Sequence, residues 1–216
     1  MDSFVKIEMN SAIIDSHFLP SLEYFCALFP FDEIILEGEE HFAKQTYRNR
    51  SYINTANGVK ILTVPLKERH GKILTKDIRI EPGKKWRNSH WRTIESAYRK
   101  APFFEYYYEE LKNILFKDHE YLLDLNRDLL SFCLRNSKMQ KKLSVSVAYE
   151  KQVTENKTDL RSVILDKKPF TSRNLYHAHT YHQVFGNDFV PNLSFIDLLF
   201  CEGPESASVI KASAAL

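Results

Sequence analysis

The alternation of apolar and polar positions near the start of the chain predicts a strand, a helix and a second strand. Residues 12–15 form a short, mainly apolar strand. Apolar side chains then recur at helical spacing from residue 22 to 29, and a proline directly afterwards ends the helix. Residues 33–37 place apolar side chains between two glutamates, a pattern typical of a second strand.

A strand–helix–strand unit of this length predicts two neighbouring parallel strands joined by a right-handed crossover. In such sheets, ligands bind at the carboxyl ends of the strands. This rule places His17 and the residues after Glu37 beside a candidate site. Residues 159–161 are candidates for the rim of the same site.

A β-hairpin is predicted next. Residues 51–55 and 60–66 are rich in β-branched side chains, and Asn57-Gly58 between them is a typical turn pair. Three cations precede the first strand, namely Lys44, Arg48 and Arg50.

The two arginines of this group suggest an anion site. If the loop is extended, Arg48 and Arg50 point to the same side and can grip a phosphate or carboxylate bidentately. The alternative is a solvated basic edge that discourages aggregation. If the anion site is correct, replacing either arginine with alanine should weaken anion binding and leave the fold intact.

The rest of the chain is predicted to be mostly helical. Amphipathic helices are expected at 86–101 and 104–115, followed by a third helix capped by Asp118. The other predicted segments are strands at 77–80 and 143–149, a polar loop at 151–168, a helix at 193–200 and a loose C-terminal tail at 206–216. Together they predict a single α/β domain over residues 1–205, with a mainly parallel central sheet flanked by helices and an added β-hairpin.

Composition narrows the function classes. The chain has 216 residues with 44% hydrophobic and 27% charged content, which is ordinary for a globular domain. Its net charge of +2 argues against nucleic acid as the main partner, so we expect any phosphate recognition to be local. The 15 phenylalanines and 11 tyrosines indicate a bulky core.

The three cysteines are widely separated and form no CxxC pair, so neither a zinc site nor a disulfide framework is predicted. Cys26 and Cys133 lie in apolar stretches and are expected to be buried free thiols. The chain shows no signal-peptide pattern and no apolar window long enough for a bilayer. We therefore expect a cytoplasmic protein with no membrane partner.

Two titratable residues stand in apolar surroundings. Asp197 lies inside the helix predicted at 193–200, and a buried carboxylate must find a cation, a donor or a ligand. It is either a site residue, half of a buried Asp–Arg pair, or a cap for neighbouring backbone. His90 is a candidate general acid or base, because its reference pKa lies near neutrality; the alternative is a histidine packed against tryptophan or exposed on the helix.

The histidines at 177, 179 and 182 have spacing compatible with a metal, but no nearby cysteine or acid completes a ligand set, so no metal is predicted. The chain also lacks the GxSxG, Walker and GxGxxG motifs. Triad hydrolases, P-loop NTPases and Rossmann dehydrogenases are therefore not indicated.

Several blocks, in order along nearly the whole chain, resemble the WbqC family of bacterial proteins, in the short version associated with Bacteroidetes-type bacteria. The blocks are KQTYRNR at 44–50, LTVP at 62–65, WRNSHWRTIESAYRKAPFFEYY at 86–107, YLLDLN at 121–126, YHQVF at 181–185 and PNLSFIDLLFCEGP at 191–204.

The resemblance implies a role beside genes that make unusual sugars, because the family name comes from O-antigen gene clusters. Our hypothesis is a cytoplasmic enzyme, with a transferase as the candidate class, that acts on a nucleotide-linked or phosphorylated sugar in surface-polysaccharide synthesis; no cofactor is assigned. Lys44, Arg48 and Arg50 would hold the phosphates, His90 and Asp197 would be the acid–base pair, and Asn126, His17 and Gln183 would bind or position substrate.

The chain also departs from the family pattern. Asp15 and Ser16 stand where most members have Gln-Pro, Cys201 stands where members usually have Asn, and no Gly-rich segment follows the strand near Val147. These departures favour the alternative of a non-catalytic binding or accessory protein in the same pathway. A further alternative, an adenylate-forming group transferase, would lack the His-x-Gly-His pair of such enzymes.

Overall fold

A computed structural model describes residues 10–67 and 72–215 of the chain. Its strands are β1 (Ser11–Asp15), β2 (Glu33–Glu37), β3 (Arg50–Thr55), β4 (Gly58–Thr63), β5 (Lys142–Val145) and β6 (Lys157–Asp159). Its α-helices are α1 (Leu22–Leu28), α2 (Lys85–Tyr98), α3 (Phe104–Phe116), α4 (Leu122–Asn136), α5 (Phe195–Glu202) and α6 (Ser206–Ser213).

The central sheet has four strands in the order β5-β2-β1-β6, and every neighbouring pair is parallel. All five residues of β1 are buried, as expected for an inner strand of a parallel sheet covered on both faces. The predicted unit of β1, α1 and β2 is confirmed, and so is the α/β fold with its parallel sheet.

Strand β6 was not predicted, because it lies in the segment interpreted as loop. Its three residues are polar and sit at the edge of the sheet, so they show no apolar alternation. Pairing with β1 alone makes this segment a strand, since it supplies the backbone partners that the sequence pattern does not reveal.

The hairpin of β3 and β4 is confirmed as a separate two-stranded antiparallel sheet. Gly58 has φ of +87°, which the Asn-Gly turn was expected to accommodate. Ser51 Oγ donates to the Leu19 carbonyl at 2.7 Å, and the Ser194 N–H donates to the Tyr52 carbonyl at 2.8 Å. The hairpin is therefore fixed to the loop after β1 and to the segment before α5.

Three local predictions need correction. Residues 77–80 are not a regular strand, because Thr75–Asp77 forms a 3₁₀ turn and only isolated bridges follow. Asp118 does not cap α4, whose N-cap is Tyr121; it accepts a hydrogen bond from Arg87 instead. The strand predicted to reach residue 149 ends earlier, at the end of β5, where its partner β2 also ends.

The tail predicted to be loose forms helix α6 over most of its length. Val209 and Ile210 are buried, and the Ile210 carbonyl lies 3.7 Å from Cys26 Sγ of α1. The small side chains of this segment gave no amphipathic pattern, but they allow the helix to pack closely against α1.

The core is aromatic, in agreement with the composition. Phe25 of α1 and Phe195 of α5 have ring centroids 4.5 Å apart, and Tyr98 of α2 lies 5.2 Å from Phe200. All four side chains are fully buried. Cys26 and Cys133 are buried free thiols, as predicted.

The junction between α5 and α6 leaves no room for a side chain at Gly203. Gly203 has φ of +52°, and a Cβ there would lie 2.5 Å from Cγ of Phe103. We expect Gly203→Ala to lower the free energy of unfolding by about 2–4 kcal/mol, combining left-handed backbone strain with overpacking. Urea unfolding measures this loss.

Gly58→Ala is the matched control, because Gly58 also has positive φ but a Cβ there meets nothing within 4 Å. It should cost about 1 kcal/mol, from backbone strain alone. Equal losses for the two variants would show that the contact with Phe103 is unimportant.

Candidate functional site

Charged side chains gather at the carboxyl ends of β1, β2 and β6, and several of them are buried. Asp15, the last residue of β1, accepts a hydrogen bond from Arg48 Nη2 at 2.8 Å and another from the Ser162 backbone N–H at 2.9 Å. The same Arg48 nitrogen also contacts Glu40. Arg48 is thus held between two carboxylates and is only 2% exposed.

A second ion pair lies at the same carboxyl-terminal end of the sheet. Glu37, the last residue of β2, accepts hydrogen bonds from Arg161 Nη1 at 3.0 Å and from Ser146 Oγ at 2.6 Å. Arg161 also binds Asp159 at the end of β6. The group at the carboxyl-terminal end of the sheet is called the sheet-edge cluster, and it consists of Asp15, His17, Glu37, Glu40, Arg48 and Arg161.

Burial and neighbouring charges shift the pKa values of Asp15 and His17. Burial and the neighbouring Glu40 raise the pKa of Asp15 from 3.8 to about 7, although the Arg48 guanidinium opposes the shift. Burial, together with the charge of Arg48, lowers the pKa of His17 well below 6.5. Near neutral pH the site therefore holds a carboxyl group close to its own pKa and a neutral imidazole.

His17 is packed between aromatic rings. Its ring centroid lies 4.6 Å from that of Tyr24 and 5.4 Å from that of Tyr47. The residue is 3% exposed, and its Nδ1 has no hydrogen-bond partner among the described residues. A buried polar atom without a partner is uncommon and is consistent with a ligand position.

Asn126 reaches the same region from α4. Its Nδ2 donates to the Arg48 carbonyl at 2.8 Å and lies 3.3 Å from Ser16 Oγ. The structure therefore gathers three of the residues selected from the sequence, namely His17, Arg48 and Asn126.

The other cations of that group are placed differently. Residues 47–49 form a turn, so the loop is not extended and the argument that put Arg48 and Arg50 on one side does not apply. Arg50 is half-buried, and its Nη1 lies 3.9 Å from Asp166 Oδ2. Lys44 is exposed.

His90 is buried in α2, away from any described acidic partner. Its ring lies 5.2 Å from the Trp86 ring and 6.0 Å from that of Phe18. Burial lowers its pKa to about 4, although a hydrogen bond with the Thr63 backbone opposes the shift. This is the tryptophan-packed arrangement that the sequence left open.

Asp197 is held by neutral donors and not by arginine. Its carboxylate accepts hydrogen bonds from Tyr98 at 2.8 Å, from Tyr181 at 2.6 Å and from Gln183 Nε2 at 3.1 Å. Burial raises the pKa of Asp197, and these three hydrogen bonds oppose the shift. We call these four residues the Asp197 cluster.

Gln183 has a further contact within its own segment. Its amide both donates to the Val190 carbonyl and accepts from the Val190 N–H, each at 2.9 Å. The Asp197 cluster therefore joins α2 and α5 to the irregular segment 181–190.

A groove of about 280 Å³ adjoins the sheet-edge cluster through Tyr47, whose ring contacts His17. Tyr52 and Asp166 line it, and the Tyr52 hydroxyl donates to Asp166 Oδ1 at 2.5 Å. Lys168 and Asn192 also contribute to its wall.

Asp15 and Glu37 were not predicted as site residues, although each ends a parallel strand, where ligands usually bind. No sequence pattern links Tyr52 with Asp166, since 114 positions separate these partners.

No group of three or more His, Cys, Asp and Glu side chains that could hold a metal occurs within residues 10–67 and 72–215. The histidines at 177, 179 and 182 are exposed. In the same ranges no helix combines the length and apolar character needed to cross a membrane.

Comparison with known proteins gives two matches. The model of the WbqC-like protein family matches residues 15–169 and 170–209. An uncharacterised protein of Mycobacterium tuberculosis, Rv1507c, is 28% identical over 230 residues, a match that covers 93% of this chain and 96% of that protein. No solved structure gives a significant match.

Because Arg48 is buried, we expect Arg48→Ala and Arg50→Ala to differ in their effect on stability. Arg48→Ala leaves the buried carboxyl group of Asp15 and the partly buried carboxylate of Glu40 without their cation and should lower the free energy of unfolding by about 3–5 kcal/mol. Arg50→Ala removes the same group from a half-exposed position and should cost less than about 1 kcal/mol. Urea unfolding of both variants tests this difference, and similar losses would contradict it.

The raised pKa of Asp15 predicts a pH-dependent stability. The folded state binds the Asp15 proton more tightly than the unfolded chain does, so stability falls as pH rises from about 4 to about 7. Asp15→Asn should remove this decline, which has a maximum slope of about 1.4 kcal/mol per pH unit. Unfolding curves across that range provide the measurement.

Asp159→Asn is the control for this effect, because the hydrogen bond from Arg161 lowers the pKa of Asp159 below 3.8. Above about pH 5 Asp159 is therefore ionised in both the folded and the unfolded state, and its replacement should leave the slope there unchanged. A decline that persists unchanged in Asp15→Asn would exclude Asp15 as its source.

Proposed function

This chain belongs to the WbqC-like protein family, and from that premise we propose that it is an enzyme that binds a phosphorylated or nucleotide-linked sugar. We place the sugar in the groove and the reacting groups in the sheet-edge cluster. We further propose that the protein is cytoplasmic and that it catalyses group transfer. Its role would lie in surface-polysaccharide synthesis of the O-antigen type.

The observation that carries the proposal is the position of Tyr47. Its ring contacts His17 on the one hand and lines the groove on the other. A ligand lying in the groove would contact Tyr47, and only this ring would separate it from the buried imidazole of His17. Substrate binding next to groups with shifted pKa values is the usual arrangement of an active site.

The groove has the chemistry of a sugar site. Tyr47 and Tyr52 offer aromatic surface for the apolar face of a sugar ring, while Asp166 and Asn192 offer polar groups for its hydroxyls. Lys168 in the wall and Arg50 beside Asp166 supply positive charge for a phosphate.

Asp15 and His17 are better acid–base candidates than the pair chosen from the sequence. The pKa of Asp15, raised to about 7, allows it to exchange a proton near neutral pH. Asp197 is buried as Asp15 is, but its carboxyl group accepts from three neutral side-chain donors that account for it without a substrate. Arg48 and Asn126 would act as positioning groups, because both are engaged by the protein itself.

One observation favours the alternative of a binding or accessory protein. The arginines of the sheet-edge cluster are paired with its own carboxylates, so the edge lacks the open positive charge that the sequence suggested. A protein of this kind would organise other enzymes of the pathway and would need no site for a phosphorylated ligand.

A thermal-unfolding screen distinguishes the two functions. Under the enzyme proposal, nucleotide sugars or sugar phosphates raise Tm in proportion to the logarithm of their concentration, and unphosphorylated sugars raise it less. Arg50→Gln should weaken binding of the active compound by about 5- to 20-fold through loss of a charged hydrogen bond.

Tyr52→Phe should weaken the same binding, because it removes the hydroxyl that fixes Asp166. Tyr106→Phe makes the same change at a tyrosine that is 77% exposed on α3 and should have no effect. If no phosphorylated compound raises Tm, the enzyme proposal fails and the accessory role is favoured.

A further inference from the structure

The start of helix α2 concentrates positive charge. Lys84 is the N-cap, Lys85 is the first helical residue and Arg87 follows two positions later. The first turn contains no acid, and no side chain caps the helix. Since the macrodipole already makes a helix N-terminus positive, cations here are unfavourable unless an anion compensates them.

Arg87 is buried at this position with unused hydrogen-bonding capacity. Its side chain is 4% exposed, and its ion pair within the described part of the chain is formed by Nη1 with Asp118 at 2.9 Å. Asp118 is itself 93% exposed, so water weakens the pair. Arg87 Nε is buried and has no acceptor among the described residues.

The neighbouring Trp86 also carries a hydrogen-bond donor without an acceptor in the described part of the chain. This donor is Nε1, which is buried. The Arg87 guanidinium lies 5.2 Å from the centre of the Trp86 ring, so the two lone donors belong to one local group. Native proteins rarely leave such donors unsatisfied.

A cavity of about 490 Å³ opens at this helix start, and Arg87 and Lys84 both line it. Its charged lining consists of the cations Lys67, Arg79, Lys84 and Arg87 and the acids Glu81, Asp118 and Glu120. Two of these cations, Lys84 and Arg87, belong to the start of α2 itself.

We propose that the start of α2 binds a phosphate or pyrophosphate group, at a site separate from the groove. Lys84 and Arg87 hold the anion, together with the free backbone N–H groups of the first helical turn. The anion replaces Asp118 as the partner of Arg87, because Asp118 is exposed and free to turn into water.

Isothermal titration of the full chain with inorganic pyrophosphate, at fixed ionic strength, tests the site. Lys84→Gln should weaken binding by about 3- to 10-fold and Arg87→Lys by about tenfold or more, since lysine retains the charge but loses the planar fork. Asp118→Asn should tighten binding, because it removes a competing carboxylate from Arg87. A purely structural Arg87 would give no tightening in this variant.

Two charge-matched controls locate the binding. Lys100→Gln removes an exposed cation just beyond the other end of α2 and should leave binding unchanged. Arg50→Gln is titrated in parallel, because it weakens any pyrophosphate binding in the groove; binding that persists in Arg50→Gln and is lost in Lys84→Gln belongs to the start of α2. The proposal is overturned if the wild-type chain does not bind pyrophosphate, or if Lys84→Gln and Lys100→Gln weaken binding equally. Lys84 and Asp118 are both exposed, so these variants keep the test valid even if Arg87→Lys unfolds.

Discussion

The buried pairing of Arg48 with Asp15 and Glu40 is the interaction on which the arrangement of the site depends. A buried charge is tolerated only when it is compensated, so this arginine has to stay between its two carboxylates. Asp15 ends the central strand and also accepts the backbone N–H of Ser162 beyond β6. The ion pairs of Arg48 therefore connect the loop before the hairpin to the end of β1 and to the sheet-edge cluster. They also hold Tyr47, the residue before Arg48, against His17.

The same pairing explains why the edge of the sheet is not an open cationic pocket. Two arginines, Arg48 and Arg161, face the carboxylates of Asp15, Glu37, Glu40 and Asp159. Other described cations lie farther out, with Arg50 and Lys168 beside the groove and Lys84 and Arg87 at the start of α2.

Asp197 shows how a buried carboxylate can be fully accounted for without a ligand. Two tyrosine hydroxyls and a glutamine amide supply its hydrogen bonds, and they come from α2 and from the segment before α5. Removing the carboxylate from water raises its pKa, while the donors compensate part of the cost. In contrast, His17 has a buried nitrogen for which the described chain offers no partner, which makes it the stronger candidate for ligand contact.

The sequence by itself determined the elements that depend on local pattern: the parallel pair of β1 and β2, the hairpin with its Asn-Gly turn, and helices α2 to α5 to within a few residues. It also selected His17, Arg48 and Asn126, which do come together. Only the tertiary structure decided β6 and α6, because a short polar edge strand and a helix of small residues become regular through the neighbours they pack against. It likewise decided that Arg48 is neutralised and that Tyr52 meets Asp166, since charge pairing between distant positions depends on three-dimensional proximity, which periodicity does not encode.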